Sequence, residues 1–306
     1  MPASQAEPAS GYAYGIAAYS IWGLVLPLYM KALAHVPSME VMAQRILWSW
    51  LLTLGILAAA GGLKGLAAVR SPRVLGTLVL TAALISVNWG VYVWAIATGH
   101  GLDAALGYYI NPLINVLMAG VFLRERLNRL QTIAVGIATA GVLVLTLESG
   151  GLPWVSLALA LSFASYGLLR KTVKIGATEG FFVEVTILFL PALALAVWLV
   201  RDGGGHFGIG ATETALLVGT GVITAVPMIL FSLAARLLRY TTVGLLQYIA
   251  PTLITLTAIF IFGEPFGPWQ AVAFGCIWTA LGLYSWSILR DRRAAGRAVP
   301  AVEPAH

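Results

Sequence analysis

The chain has 306 residues, of which 59% are hydrophobic and only 10% charged, with a mean hydropathy of +0.89. A soluble domain carries about 25% charged residues, so this composition excludes one and specifies an integral membrane protein. The net charge of +6 does not mark a nucleic-acid binder, because the basic residues lie between apolar runs, where they act as a topology signal.

A spanning helix needs about 20 apolar residues. Taken in order, the apolar segments predict ten helices, over 11–33, 38–61, 74–98, 103–123, 130–148, 153–171, 179–200, 212–235, 241–262 and 268–289. Turn chemistry separates them at Gly61-Gly62, Ser71-Pro72, Gly99-His100-Gly101, Ser149-Gly150-Gly151, Gly203-Gly204-Gly205 and Gly263-Glu264-Pro265. Residues 1–10 are small and polar without a basic start, and read as a disordered tail, not a cleaved leader. Residues 290–306 form a basic tail. Threading ten spans places fifteen Lys and Arg residues on one side, Arg170 and Lys171 among them, against Lys31 and Arg201 on the other. Arg45 stays within the second span. The positive-inside rule then puts both termini in the cytoplasm.

The fourth and fifth segments are written twice. Without a gap, Tyr109 falls on Tyr248, Ile110 on Ile249, Pro112 on Pro251, Glu125 on Glu264 and Gln131 on Gln270. From Leu106 to Gly136, ten of 31 positions match their partners 139 residues later. A Pro, a Glu and a Gln are among them, which apolar bias alone does not produce. Tyr19-Ser-Ile-Trp22-Gly23 in the first segment resembles Phe163-Ala-Ser-Tyr166-Gly167 in the sixth. The expected architecture is all-α, with a first five-helix repeat over 11–148 and a second over 153–289. Five is odd, so the copies are expected to be inverted, as in many secondary transporters.

Charges inside hydrocarbon cost about 2.5–3.5 kcal/mol each, so Arg45 and its repeat counterpart Glu184 need a reason. As substrate ligands, Arg45 takes a carboxylate and Glu184 an amine or a coupling proton. As structural groups, they pair with each other or snorkel to the nearer interface. Asn88 and Tyr92 share a face of the third segment, with Trp89 beside them, and either line a substrate path or bond a neighbouring helix. Pro112 frees a carbonyl in the fourth segment, with Asn111 and Asn115 flanking it on one face and Tyr109 a turn away. The ninth segment repeats this with Gln247, Tyr248 and Pro251. Both prolines are candidate hinges beside polar binding groups. Tyr19, Trp22 and Tyr166 offer flat aromatic faces, for substrate or for interfacial anchoring. Glu125 and Glu264 read as cap or turn partners. The small residues Ala134, Gly136, Ala138, Ala140 and Gly141 suit close packing against the tenth segment.

With those residues in view, the layout resembles the drug/metabolite transporter superfamily in its EamA-type branch. The runs Ile21-Trp-Gly, Gln44-Arg-Ile-Leu-Trp-Ser, Asn88-Trp-Gly-Val-Tyr-Val-Trp-Ala, Leu106-Gly-Tyr-Tyr-Ile-Asn-Pro-Leu-Ile-Asn-Val, Phe122-Leu-Arg-Glu-Arg, Tyr166-Gly-Leu-Leu-Arg-Lys and Gln247-Tyr-Ile-Ala-Pro-Thr-Leu are similar to those of RarD proteins. The resemblance spans about 11–290 and implies a multi-pass exporter of small metabolites in the bacterial inner membrane, with amino-acid exporters of the YddG type as neighbours. Gln44 stands where that pattern has a His, so no proton role carries over to it.

The resulting expectation is a secondary transporter, not an enzyme. It works by alternating access on amino acids or amphipathic solutes, and import or facilitated uniport is the alternative. The expected partners are the substrate, the bilayer and protons as a coupling ion, with the chain a monomer or homodimer. No nucleic acid, cofactor or metal is implied: Cys276 stands alone, and the four histidines show no ligand spacing.

Overall fold

Prolines, glycines and charges divide the chain into helices. The computed structural model describes residues 7–297 apart from 99, 149, 151–153, 262 and 264–266. Among the described residues the long helices are α1 (Ala9–Ala32), α2 (Ser38–Ala59), α3 (Pro72–Ala97), α4 (Gly101–Leu123), α5 (Arg129–Glu148), α6 (Trp154–Thr172), α7 (Ala177–Arg201), α8 (Ala211–Leu237), α9 (Tyr240–Phe260) and α10 (Pro268–Arg297), with no strand. Nine are long and apolar enough to cross a membrane. The exception is α6, whose 19 residues include Ser156, Ser162, Tyr166 and Arg170, all buried in protein, and Lys171, whose Nζ donates to Ala235 O at 2.9 Å. A helix surrounded by other helices can hold polar groups that lipid would reject. Residues 1–6 of the expected tail lie outside the described residues, and Glu7 is already bonded to the body through Tyr12 and Arg239.

Two helices are irregular, each just ahead of a proline. In α1, residues Ile21–Val25 form a π turn in which Leu26 N–H bonds Ile21 O. Pro27 has no N–H to continue the regular ladder, and the wider turn absorbs the gap. In α9, Tyr240–Leu246 and Ile249–Phe260 are separate helical pieces, four residues or fewer before Pro251. By contrast α4 runs unbroken through Pro112.

Two of the residues shared by the repeat, Glu125 and Gln131, do helix-end chemistry. Asn128 Oδ1 accepts from Gln131 N at 2.9 Å while Gln131 Oε1 accepts from Asn128 N at 3.1 Å, a reciprocal capping box that starts α5. Gln270 Oε1 accepts from Gly267 N at 3.0 Å at the start of α10. Arg124 closes α4 in the left-handed region at φ 53°. Glu125 then accepts from Tyr240 N at 2.7 Å and Thr241 N at 3.0 Å, capping α9. Glu264 lies outside the described residues.

Packing pairs α5 with α10, α2 with α7 and α4 with α9. It also pairs α1 with α8 and α3 with α6, α2 with α8 and α3 with α7, and α4 with α6 and α1 with α9. For these pairs, exchanging each helix for the one five places on returns the same set, whereas the packing of α6 on α8 and of α4 on α5 has no counterpart of like extent. Helices α2 and α7 run antiparallel. Glu40, at the start of α2, accepts from His206 N at 2.8 Å and Phe207 N at 2.9 Å just after α7. Glu179, at the start of α7, lies against Gly62 and Gly65 just after α2. On the α5–α10 seam, Ala134 and Ala138 are fully buried, and a Cβ at Gly141 would sit 2.9 Å from Ala273 O. Small side chains bring these backbones into contact.

Candidate functional site

Arg45 projects from α2 about two turns from its start. Its Nε donates to Thr224 Oγ1 of α8 at 2.8 Å, and its guanidinium carbon lies 5.0 Å from the Trp89 ring centroid. That spacing is a cation–π contact. Tyr92 of α3 and Tyr108 of α4, with ring centroids 6.1 Å apart, lie within electrostatic reach of Arg45 and are each 36% exposed. Neither Nη atom of Arg45 is bonded to protein or sealed off among the described residues. The result is a half-open, aromatic-walled position with a guanidinium fork, the geometry that takes a carboxylate bidentately.

Glu184 occupies a different setting. It is 1% exposed and accepts from Thr81 Oγ1 of α3 at 2.7 Å and from Tyr166 OH of α6 at 3.0 Å. Its ionic partner is Arg170, at 3.6 Å, not Arg45. Arg170 in turn donates to Ser232 Oγ at 3.2 Å and Ala177 O at 2.7 Å. Two expectations change here. Arg170, counted among the cytoplasmic loop charges, is 1% exposed inside the helix bundle. Arg45 and Glu184, candidates to pair with each other, stand at the same depth of helices that run in opposite directions, so they fall on opposite sides of the midplane and do not pair.

The aromatic residues Tyr19 and Tyr166 are fully buried, and Trp22 is half-buried. Trp22 lies 5.9 Å from Tyr19, 5.8 Å from Phe163 and 5.9 Å from Phe231, and Tyr166 stacks on Phe231 at 6.2 Å. Tyr19 OH donates to Val243 O at 3.1 Å. These rings tie α1, α6 and α8 together.

The amides form interhelical bonds. Asn88 Nδ2 donates to Leu159 O at 2.9 Å and Ser162 Oγ at 3.0 Å, joining α3 to α6. Asn115 Nδ2 donates to Gln247 Oε1 at 2.7 Å, and Asn115 Oδ1 accepts from Tyr240 OH at 2.8 Å. Tyr109 OH meets Thr255 Oγ1 at 2.9 Å. On the same α4–α9 seam, Asn111 Oδ1 and Tyr248 OH are buried without a hydrogen bond. Pro112 and Pro251 flank this seam.

A family model described as the EamA-like transporter family matches residues 9–147. A Streptomyces exfoliatus protein named RarD is 39% identical over 97% of this chain and 95% of its own length. A Pseudomonas aeruginosa protein named as an uncharacterized transporter is 45% identical over 92% of this chain and 95% of its own length. The chain belongs to the EamA-like transporter family. A solved crystal structure superposes with a TM-score of 0.70 at 19% identity, covering 90% of this chain and 96% of that one, and so shares the fold.

As an EamA-type transporter the chain is a multi-pass membrane protein with RarD homologues over most of its length. Among the site residues expected from sequence, the fold gathers Arg45, Trp89 and Tyr92 at one accessible position. It sets Tyr19, Trp22, Tyr166 and Glu184 in a closed aromatic and ionic cluster, and Tyr109, Asn111, Asn115, Gln247 and Tyr248 in the α4–α9 seam. Tyr108, Thr224, Thr81, Arg170 and Tyr240 complete these groups and were not singled out from sequence. Thr224 had a signal, a hydroxyl in the middle of an apolar run, but it shares that run with Thr220 and Ser232.

Proposed function

We propose that the protein exports small carboxylate-bearing metabolites across the bacterial inner membrane by alternating access, amino acids first and aromatic or amphipathic ones among them. The observation that carries this is the Arg45 fork, held by Thr224 and Trp89 with both Nη atoms unengaged beside two half-exposed tyrosines. An Arg whose fork were used internally would be structural. One left open to an aromatic recess has a ligand's shape.

The matching architecture is ten spans in two inverted halves, 11–148 and 153–289, with both termini cytoplasmic. The packing pattern that returns to itself on exchange of halves supports the duplication, and the reciprocal Glu40 and Glu179 contacts across antiparallel α2 and α7 support the inversion. No phosphate-binding motif is present in the sequence, so a substrate or proton gradient supplies the energy.

The test is counterflow in proteoliposomes loaded with aromatic, aliphatic and acidic amino acids, each with and without an imposed pH gradient. Saturable, carboxylate-dependent exchange whose apparent affinity Arg45→Gln weakens is the expected result. Exchange of decarboxylated amines as fast as of the parent amino acids overturns the assignment. Dependence on the pH gradient identifies protons as the coupling ion.

A further inference from the structure

Two apolar grooves run along neighbouring stripes of α7, and both end at Arg201. The first, of about 520 Å³, lies between α2 and α7, walled by Leu47, Leu51 and Phe189 and closed by Phe207. The second, of about 480 Å³, runs past Leu190, Ala194 and Trp198. Leu193, Val197 and Arg201 line both. Leu190 is 71% exposed and Trp198 58%, so this side of α7 faces hydrocarbon.

Arg201 ends α7, is exposed, and makes no ion pair or hydrogen bond among the described residues. The carboxylates near that end do not neutralise it. Glu40 is committed to the 206–207 backbone and His206, Glu213 faces His35 at 3.7 Å, and Asp202 is exposed without pairing to it. Neither groove contains a carboxylate. The other polar lining side chain, Gln44, has its Oε1 occupied by Trp48 Nε1 at 2.9 Å. The surface therefore offers the Arg201 cation at its end and two open apolar grooves leading from it, the second walled by α7 alone.

We propose that α7 binds one anionic diacyl phospholipid, with its phosphodiester on the Arg201 guanidinium and an acyl chain in each groove. The fork matches two phosphate oxygens. A headgroup with no cation of its own leaves the Arg charge compensated, so a glycerol headgroup is favoured over choline. Trp198, an amphipathic ring at the same depth, borders the glycerol region.

The full-length protein in detergent, mixed with equal amounts of phosphatidylglycerol and phosphatidylcholine, is examined by native mass spectrometry. One phosphatidylglycerol per chain is the expected adduct. Arg201→Gln lowers its retention about fivefold and removes the preference over phosphatidylcholine. Val197→Trp, at an exposed position where the grooves join, lowers retention of both lipids. Glycerol 3-phosphate, a headgroup without chains, does not compete. Equal retention of the two lipids by wild type, unchanged retention in either variant, or competition by glycerol 3-phosphate overturns the proposal. The readout is independent of transport, so it stands or falls apart from the function proposed above.

Discussion

Arg170 and Glu184 face each other at 3.6 Å with 1% of each side chain exposed, yet Arg170 Nη1 makes no hydrogen bond. Such a pair is sensitive to loss of one member, because the survivor is an uncompensated charge in low dielectric. Glu184→Ala is expected to destabilise by about 3–5 kcal/mol. The double variant Arg170→Met with Glu184→Gln removes the charges together while Gln keeps an acceptor for Thr81 and Tyr166, and should recover most of that loss. Thermal unfolding in detergent measures both. A single variant as stable as wild type contradicts the burial seen here.

Arg45 gives the opposite profile. Its Nε holds Thr224, but its outer nitrogens hold nothing in the protein. Arg45→Gln should leave the unfolding temperature nearly unchanged and weaken apparent substrate affinity by roughly 10- to 100-fold, from the ~1.5–3 kcal/mol of charged hydrogen bonding lost. Arg45→Lys keeps the charge but not the fork and should fall between. Transport assays at varied substrate concentration decide it. Equal affinities in all three remove Arg45 from the site.

Glu125 holds the start of α9 through the amides of Tyr240 and Thr241 and the Thr241 hydroxyl at 2.7 Å. Its ion pair with Arg239, at 3.8 Å and 37% exposed on the Arg side, adds little. Glu125→Ala is expected to cost about 1–2 kcal/mol, as for other helix caps, and Arg239→Ala much less. A larger effect from Arg239 would mean that charge, not capping, fixes this junction.

A methyl at Gly221 would meet the Trp48 backbone carbon at 2.5 Å, with α2 directly behind it. Gly221→Ala should therefore push α2 from α8, disturb the Arg45–Thr224 bond, and destabilise by about 1–3 kcal/mol. Gly120, with nothing within 4 Å, is the control, and Gly120→Ala should be neutral or slightly stabilising. Differential scanning fluorimetry separates the two.

The aligned prolines differ in consequence. Pro251 follows a broken stretch in α9, whereas Pro112 sits in a continuous α4. Pro251→Ala is expected to slow amide exchange over 247–250 as the helix closes, and Pro112→Ala to leave exchange in α4 almost unchanged. Comparable slowing at both positions would remove the asymmetry.

Much of the fold was legible because apolar runs, turn residues and a gapless internal match are one-dimensional signals. The π turn and the α9 break were visible only as Pro27 and Pro251, since a proline marks a missing donor without saying how the chain absorbs it. Arg170 was misplaced for a similar reason. Counting charges between apolar runs cannot separate an Arg in a loop from one folded back under the bundle a turn earlier. Tyr108 escaped notice beside Tyr109 because neighbours on a helix point about 100° apart. One ring turns toward Arg45 and the other toward Thr255. Which face looks where depends on partners that sequence spacing does not name.

The identity of Gln131 with Gln270 sits at a helix start in both halves of the repeat, while the matched positions 45 and 184 carry opposite charges. The sequence repeat keeps this capping residue but not the charge. Under the proposed inversion, turning the bundle over does not regenerate the same molecule, because a half-open cation lies toward one side and a sealed carboxylate toward the other. Under the proposed cycle the two resting orientations then differ in free energy, and the empty carrier dwells longer on one side of the bilayer than on the other.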